Sequence, residues 1–367
     1  MECNKTWPDN REFISDFNRR SAERRIPVSG GIDLTHRCNL RCVHCYLGGD
    51  AGSPKSEGTE MNTGHILSLI DELTEAGCLF LLMTGGEPLL RKDFPEIYRR
   101  AKTNGMIVTV FTNGTLITDT VAGLFDELPP RTVEISLYGA SKATYESITG
   151  IPGSYDQCLK GIKILSERKI PLAIKTILMT ANRHEFFEIQ DLARALGVKF
   201  RFDAALFPCT DGSRYPLSLR VPPEEAVEKD FSDKDRYRHW KNYFEMVKDQ
   251  QPDDRLFQCG AGTTGFHIDA SGGLKPCLMT AHMQLDLSDR TFLEGWAEIT
   301  SRVGRKKIGA ANRCGKCAKI QLCGYCPAFF EMETGSENVC SEYLCSIGNH
   351  RFRAISNTHP EGVLHAV

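Results

Sequence analysis

The sequence predicts an α/β fold, a partial (β/α)6 barrel of the TIM type followed by a small cysteine-rich region. Short apolar runs alternate with amphipathic segments between residues 30 and 206, and eight of the 15 cysteines lie between Cys259 and Cys345. Strand–helix alternation indicates parallel strands with right-handed crossovers. Six units favour a partial or open barrel, although periodicity alone leaves a doubly wound sheet possible.

The six predicted strands are short apolar runs, several of them rich in β-branched or aromatic residues. They are Gly31–Leu34, Leu79–Thr84, Met106–Thr112, Thr132–Leu137, Leu172–Met179 and Lys199–Ala205. Apolar spacing near 3.6 residues marks helices between them, as at 65–73 and 158–165. A third predicted helix, at 191–196, ends at Gly197, a residue that commonly stops helices.

Changes in composition predict five regions along the chain. A polar stretch with two proline-containing loops and one charged helix, near 232–248, separates the barrel from glycine- and cysteine-rich segments of little periodicity. The predicted regions are an N-terminal extension 1–27, the barrel 28–207, a linker with a helix 208–253, a cysteine-rich domain 254–350 and a tail 351–367.

Charge and hydropathy exclude several classes of function. The chain has 45 Lys and Arg against 47 Asp and Glu, a net charge of −2, which gives no electrostatic basis for binding nucleic acid or a membrane surface. No apolar run approaches the ~20 residues of a membrane helix, and the first residues lack a signal-peptide pattern. We therefore expect a cytoplasmic protein with reduced thiols, in which grouped cysteines indicate metal.

The first cysteine group directly follows the first predicted strand. Cys38, Cys42 and Cys45 have C-x3-C-x2-C spacing, and three thiolates from one loop can hold three irons of a 4Fe-4S cluster while the fourth iron stays open. Taken alone, the spacing leaves two alternatives. One is a zinc site completed by His36 or His44, and the other is a chance grouping.

Further short motifs follow at the ends of predicted strands. They are Tyr46 after the third cysteine, Thr84-Gly85-Gly86-Glu87-Pro88 after strand two, Thr112-Asn113-Gly114 after strand three and Ser136-Leu137-Tyr138-Gly139 at the end of strand four. Each alone could be a plain turn. In this order, at the strand ends where sites of strand–helix folds gather, they indicate a binding site. The combination resembles the radical S-adenosylmethionine (SAM) superfamily.

This resemblance implies a cofactor and a reaction. Cys38, Cys42 and Cys45 would bind a 4Fe-4S cluster whose open iron is chelated by SAM, and one electron would cleave SAM to methionine and a 5′-deoxyadenosyl radical. The glycines would let backbone N–H and C=O groups approach SAM. The implied SAM-binding residues are Tyr46, Gly85, Gly86, Glu87, Asn113 and Ser136. No catalytic side chain is assigned, although Lys175, Thr176, Arg201 and Asp203 could face the cavity.

The second cysteine group has a more elaborate spacing. It runs Cys259-x12-Gly272-x4-Cys277, then Cys314-x2-Cys317-x5-Cys323-x2-Cys326, then Cys340 and Cys345. Two zinc sites are one interpretation, because C-x2-C pairs suit zinc. The arrangement also resembles the SPASM extension of radical SAM enzymes, apart from a last spacing of two rather than three residues and a second candidate for the final cysteine.

The SPASM resemblance implies two auxiliary iron–sulfur clusters, expected to be 4Fe-4S. One would be held by Cys259, Cys277 and Cys326, and the other by Cys314, Cys317, Cys323 and a late cysteine. The longer spacing favours Cys345 as that late ligand. Cys340 would then complete the first cluster or be spare.

The same resemblance implies hydrogen abstraction from a peptide or protein side chain, as in ribosomal peptide maturases. Tetrapyrrole side chains of haem or haem d1 pathways, sugars and other small molecules are alternatives. Leu278 stands where sulfatase maturases carry Asp, which argues against that activity. A non-enzymatic electron carrier is a further alternative, although a carrier needs no Gly85-Gly86-Glu87 loop. Expected partners are a reductase such as flavodoxin or ferredoxin and a separate peptide-recognition protein.

Overall fold

The protein's computed structural model describes residues 10–48, 60–249, 254–309 and 312–356. All six predicted strands are present, with ends that differ from the prediction by one or two residues. The strands are β1 Ser29–Asp33, β2 Phe80–Thr84, β3 Ile107–Thr112, β4 Thr132–Ser136, β5 Leu172–Ile177 and β6 Lys199–Asp203.

The order of these strands settles the choice of architecture. They lie side by side in sequence order, β6-β5-β4-β3-β2-β1, and every neighbouring pair is parallel. A doubly wound sheet would reverse its strand order at a switch point. The predicted partial barrel is therefore confirmed, and the doubly wound alternative is wrong.

Three further strands extend the same sheet beyond β1. The strand β7 (Gly265–Ile268) pairs parallel to β1, and β8 (Gly273–Lys275) and β9 (Leu285–Asp286) follow it in antiparallel order. The sequence analysis did not predict these strands, because each has only two to four residues. The cysteine-rich region is thus hydrogen-bonded directly to the barrel.

Helices connect the strands and form the linker and the C-terminal region. Those of the barrel are α1 Asn10–Arg24, α2 Thr63–Glu75, α3 Phe94–Thr103, α4 Asp119–Glu127, α5 Lys142–Thr149, α6 Ser154–Glu167 and α7 Phe186–Ala195. The later ones are α8 Pro223–Phe231, α9 Lys234–Val247, α10 Phe292–Gly304, α11 Pro327–Thr334 and α12 Glu342–Ser356. The helix α9 corresponds to the predicted charged helix. No helix in the described part of the chain has the length and apolar character needed to cross a membrane.

Alternation along the strands separates an apolar face from a polar face. One set of alternate residues is fully buried in the core against the helices, including Ile32, Met83, Val110 and Ile135. Because successive strand side chains point to opposite faces, the intervening residues share the other face of the sheet. These residues include Asp33, Phe111, Glu134, Lys175 and Arg201. Polar and aromatic side chains therefore line the concave side of the barrel.

One half-buried arginine holds the linker helices against the last helix. The guanidinium of Arg351 in α12 lies 4.0 Å from the ring centre of Trp240 in α9 and 3.2 Å from the carboxylate of Asp230 in α8. It also donates a hydrogen bond to the carbonyl oxygen of Leu322. These contacts hold α8, α9 and α12 together beside β6.

We predict that Gly161→Ala destabilises the barrel and that Gly123→Ala does not. A Cβ at Gly161 in α6 would lie 2.1 Å from the carbonyl oxygen of Gly114, in the turn after β3, whereas a Cβ at Gly123 in α4 would meet nothing within 4 Å. The first change should lower the free energy of unfolding by about 1–3 kcal/mol. The second should raise it by about 0.5–1 kcal/mol, because alanine restricts the unfolded chain. Thermal unfolding followed by circular dichroism measures both, and equal effects would contradict the prediction.

Candidate active site

The three cysteines of the first group lie in one loop directly after β1. A turn brings the last two together, because the Cys45 amide donates a hydrogen bond of 3.0 Å to the carbonyl oxygen of Cys42. The loop is also fixed to the end of α5, where the amides of Arg41 and Val43 donate to carbonyl oxygens of that helix. The structure therefore holds the predicted ligands at the carboxyl edge of the sheet.

The thiols of this loop suit a metal cluster rather than free solvent. Burial raises the pKa of Cys38 to about 11 and also raises those of Cys42 and Cys45. Iron must therefore displace their protons on binding. Among the described residues, no group of three or more His, Cys, Asp or Glu side chains is placed to hold a single metal ion. In an iron–sulfur cluster each thiolate binds a different iron.

The Gly85-Gly86 pair holds the cysteine loop by close backbone approach. The Gly86 amide donates to the carbonyl oxygen of Thr35 at 2.7 Å, and the Glu87 amide donates to that of Arg37 at 2.8 Å. A Cβ would lie 2.3 Å from the Thr35 oxygen if placed on Gly85, and 2.2 Å from the Arg37 oxygen if placed on Gly86. The Gly86 and Glu87 amides thus bind the segment that leads into Cys38, and a contact of this loop with SAM stays a prediction.

The carboxylate of Glu87 connects this segment to the turn after β3. Glu87 is fully buried. It accepts hydrogen bonds from the Thr112 hydroxyl and the Asn113 amide, both at 2.7 Å, and from the Leu89 amide at 3.1 Å. Burial raises the pKa of Glu87 to about 7, although the three donors favour the ionised form. The structure thus places this predicted SAM-binding residue as a link between two loops.

The side chain of Asn113 extends that link to the cysteines. Its Nδ2 donates to Oδ1 of Asn39 at 2.9 Å and lies 3.9 Å from Sγ of Cys38. The Asn39 amide group in turn donates to the Thr115 hydroxyl at 2.8 Å. Because hydrogen bonds to ligand sulfurs help to set the potential of an iron–sulfur cluster, Asn113 is placed to tune one bound here.

The other two predicted SAM-binding residues are Tyr46, which directly follows Cys45 in this loop, and Ser136, at the end of β4. The ring centre of Tyr46 is 6.4 Å from that of Phe207, which follows β6. Burial and the nearby charges of Asp33 and Cys45 raise the pKa of Tyr46 well above its usual range. Ser136 ends β4, opposite Lys175 of β5. The structure thus brings all six predicted contacts to the carboxyl edge of the sheet.

The sequence analysis named one of three polar residues near this edge, His44, only as a possible zinc ligand, and it did not single out Asp33 or His267. His44, between the second and third cysteines, has an Nδ1 that is shielded from solvent and lacks a hydrogen-bond partner among the described residues. Burial lowers the pKa of His44 to about 4. Oδ2 of Asp33 in β1 lies 3.0 Å from Nε2 of His267 in β7, and both residues are buried. The strand β7 has only four residues, too few for a periodic signal, so the sequence did not indicate the pair between Asp33 and His267.

The eight later cysteines form two groups. Burial is the largest cause of the raised pKa of the Cys277 and Cys326 thiols, but Cys259 also lies near enough to Cys277 to raise the pKa of the Cys277 thiol, and both of them raise the pKa of Cys326. In the second group, Cys345 is hydrogen-bonded to Cys314, and Cys323 is influenced by Cys345 and Cys317.

Cys340 lies with this second group. Its Sγ is 2.8 Å from that of Cys314. The hydrogen bond with Cys314 and the charge of Arg313 lower the pKa of Cys345 to about 6. The structure thus places both late cysteines beside Cys314.

Comparison with known proteins supports this arrangement. The model of the radical SAM superfamily matches residues 32–195, which include the cysteine loop, the Gly85-Gly86 pair and Asn113. The chain therefore carries a radical SAM domain over these residues. A domain of this family implies SAM and a 4Fe-4S cluster, and the donor set of the cysteine loop fits that cluster.

Several known proteins are similar to this chain over most of its length. An AdoMet-dependent heme synthase of Methanosarcina barkeri is 26% identical over 335 residues, 83% of this chain and 92% of the relative. The mycofactocin maturase MftC of Mycobacterium tuberculosis is 28% identical over 313 residues, 82% of this chain and 78% of the relative. The chain is therefore an enzyme whose relatives are named as synthases and maturases.

The fold of the whole chain also has a solved counterpart. Streptococcus suis SuiB, bound to its precursor peptide SuiA, superposes with a TM-score of 0.70 and 14% identity. The match covers 94% of this chain, including its cysteine-rich region, and 83% of SuiB. The predicted combination of a radical SAM barrel and a SPASM extension is confirmed at the level of the fold.

We predict that Glu87→Ala destabilises the protein and weakens retention of the first cluster. The change leaves the Thr112 hydroxyl and the Asn113 amide without their buried acceptor, at a cost of about 1–3 kcal/mol in the free energy of unfolding. Glu87→Gln keeps one acceptor oxygen and should have a smaller effect. Chemical denaturation and iron analysis measure both variants, with the exposed Glu188→Ala as the control. If Glu87→Ala matched the control, the linking role would be wrong.

Proposed function

We propose that this enzyme cleaves SAM reductively and uses the resulting 5′-deoxyadenosyl radical to abstract hydrogen from a substrate inside the barrel. The observation that carries the proposal is the three-cysteine loop, held by Gly85-Gly86-Glu87 at the carboxyl ends of the strands. When bound, the cluster and SAM supply the electron transfer and the radical.

The protein's own residues position the cofactors and exclude water. Cys38, Cys42 and Cys45 would hold the cluster, while Glu87 and Asn113 fix the geometry of their loop. Tyr46, after the third cysteine, and Ser136, at the end of β4, would contact SAM. Buried side chains such as Asp33 keep bulk solvent from this edge of the barrel, where an uncontrolled radical would otherwise be quenched.

Two auxiliary clusters complete the proposal. Cys259, Cys277 and Cys326 would hold one of them, which keeps an open iron unless a further ligand binds it. The other would be held by Cys314, Cys317, Cys323 and Cys345. The grouping of these thiols supports this partition. The clusters would move an electron out of the substrate radical or bind substrate at an open iron, and a flavodoxin or ferredoxin would supply the reducing electron.

The substrate that we propose first is a peptide or protein side chain. Similarity to the maturase MftC supports this choice, as does the fold shared with SuiB, which binds a precursor peptide. A separate peptide-recognition protein would then deliver the substrate. A tetrapyrrole side chain is the second candidate, because the similarity to a heme synthase extends over 92% of that relative.

We predict that Cys42→Ala abolishes SAM cleavage. Removing one of three ligands prevents assembly of the first cluster, while the later cysteines retain iron. The test is to reconstitute the protein anaerobically with iron and sulfide, add SAM and dithionite, and measure 5′-deoxyadenosine by mass spectrometry. Cys78→Ala, a core cysteine outside both groups, is the control. Cleavage by the Cys42 variant would contradict the assignment.

We predict that Cys345→Ala removes one auxiliary cluster and that Cys340→Ala does not. Cys345 interacts with the thiols of both Cys314 and Cys323. Among the described cysteines, the thiol of Cys340 lies beside that of Cys314. Iron analysis with Mössbauer spectroscopy should therefore show about four fewer irons only in the Cys345 variant. If only Cys340→Ala lost a cluster, Cys340 rather than Cys345 would be the ligand.

A further inference from the structure

A cavity of about 910 Å³ opens at the edge of the barrel opposite the cysteine loop. It lies at the amino ends of β3 to β6, and its volume is in the upper range for small-molecule sites. Three cationic residues surround its opening. Arg131 directly precedes β4, Lys169 lies between α6 and β5, and Lys199 begins β6. We call these three residues the basic mouth.

The charge of this cavity is unbalanced. Arg201 and Glu134 also line it and form an ion pair of 2.8 Å with each other. The basic mouth adds three cations, and no carboxylate of the described residues pairs with them within 4.0 Å. The guanidinium of Arg131 instead lies 5.4 Å from the ring centre of Phe80. The side chains that line the cavity therefore give it a net positive charge.

Cationic side chains continue from this cavity toward the cysteine loop. Arg201 and Lys175 lie over the same ring, that of Phe111, at 5.4 Å and 5.0 Å from its centre. Lys175 lies opposite Ser136, the last residue of β4, at the carboxyl edge of the sheet. The strand β4 extends from Thr132 beside the mouth to this edge, a length of ~13 Å over its four residue steps. A substrate must therefore be at least about that long to contact the mouth and the carboxyl edge together.

We propose that this cavity recognises a substrate by its carboxylates, which the basic mouth holds. Charge-assisted hydrogen bonds from arginine and lysine to carboxylate are stronger than neutral ones. Apolar residues that also line the cavity, among them Ile170, Leu172 and Val198, present surface for the body of the same molecule. The proposal rests on the proposed function, because it orients the reacting carbon toward the cysteine loop.

Two sources supply this shared chemistry, a flat macrocycle with carboxylate arms or a peptide with acidic side chains. The probes are mesoporphyrin IX with its dimethyl ester, and a hexaglutamate peptide with its hexaglutamine counterpart. Binding is measured by fluorescence quenching or calorimetry on the anaerobically reconstituted enzyme with SAM present. Each acid and its neutral partner differ chiefly in the carboxylates, so that the comparison isolates the charge.

The test compares two triple variants with the same change in charge. Arg131→Gln/Lys169→Gln/Lys199→Gln removes the basic mouth, and Lys92→Gln/Lys160→Gln/Lys241→Gln removes three exposed lysines outside the cavity. We expect the first variant to weaken binding of an acidic probe on the order of tenfold or more. The control variant should bind as the unaltered enzyme does.

The outcomes identify the source of the carboxylates, and they separate a failure of the carboxylate proposal from a failure of the proposed function. Binding of the porphyrin acid alone identifies a macrocycle as the source, and binding of the acidic peptide alone identifies a peptide. If neither acid binds an enzyme that forms 5′-deoxyadenosine, or if the mouth variant binds as well as its control, the carboxylate proposal is overturned. If the unaltered enzyme forms no 5′-deoxyadenosine, the proposed function fails, whereas the binding comparison still decides the role of the cavity.

Discussion

The buried carboxylate of Glu87 joins the segments from which the candidate active site is built. Backbone hydrogen bonds attach its own segment to the chain before Cys38, and its side chain attaches the turn that carries Asn113. A fully buried carboxylate is unfavourable unless its oxygens are satisfied. Here two backbone amides and a hydroxyl satisfy it. The position of the cysteines therefore depends on one buried carboxylate. A longer side chain at this position would displace at least one of these donors.

The two ends of the polar face of the barrel differ in solvent exposure and in charge. At the carboxyl edge, the cysteine loop, Tyr46 and the pair formed by Asp33 and His267 create a shielded environment. At the amino edge, the side chains are exposed and predominantly cationic. Between the two, Phe111 is covered by Lys175 and Arg201. Radical chemistry benefits from shielding at one end, and charged substrates require solvent access at the other.

The strands of the barrel and the cysteine groups could be predicted from sequence because their signals are local. Apolar runs such as Val108–Val110 and the spacing of Cys38, Cys42 and Cys45 need no tertiary information. The direction of the Glu87 side chain and the pair between Asp33 and His267 could not be predicted. Both depend on which segments become neighbours in the sheet. The strand β7 is too short for periodicity, and its pairing with β1 is a long-range contact.

That pairing has a consequence for how the chain can be divided. The strand β1 is hydrogen-bonded on one side to β2 and on the other to β7. A barrel produced without the region after residue 254 would present β1 as an open edge, with unpaired backbone groups beside the cysteine loop. Such edges readily recruit strands from other molecules. The cysteine-rich region therefore protects the barrel from self-association, a role that its backbone pairing supplies without any bound metal.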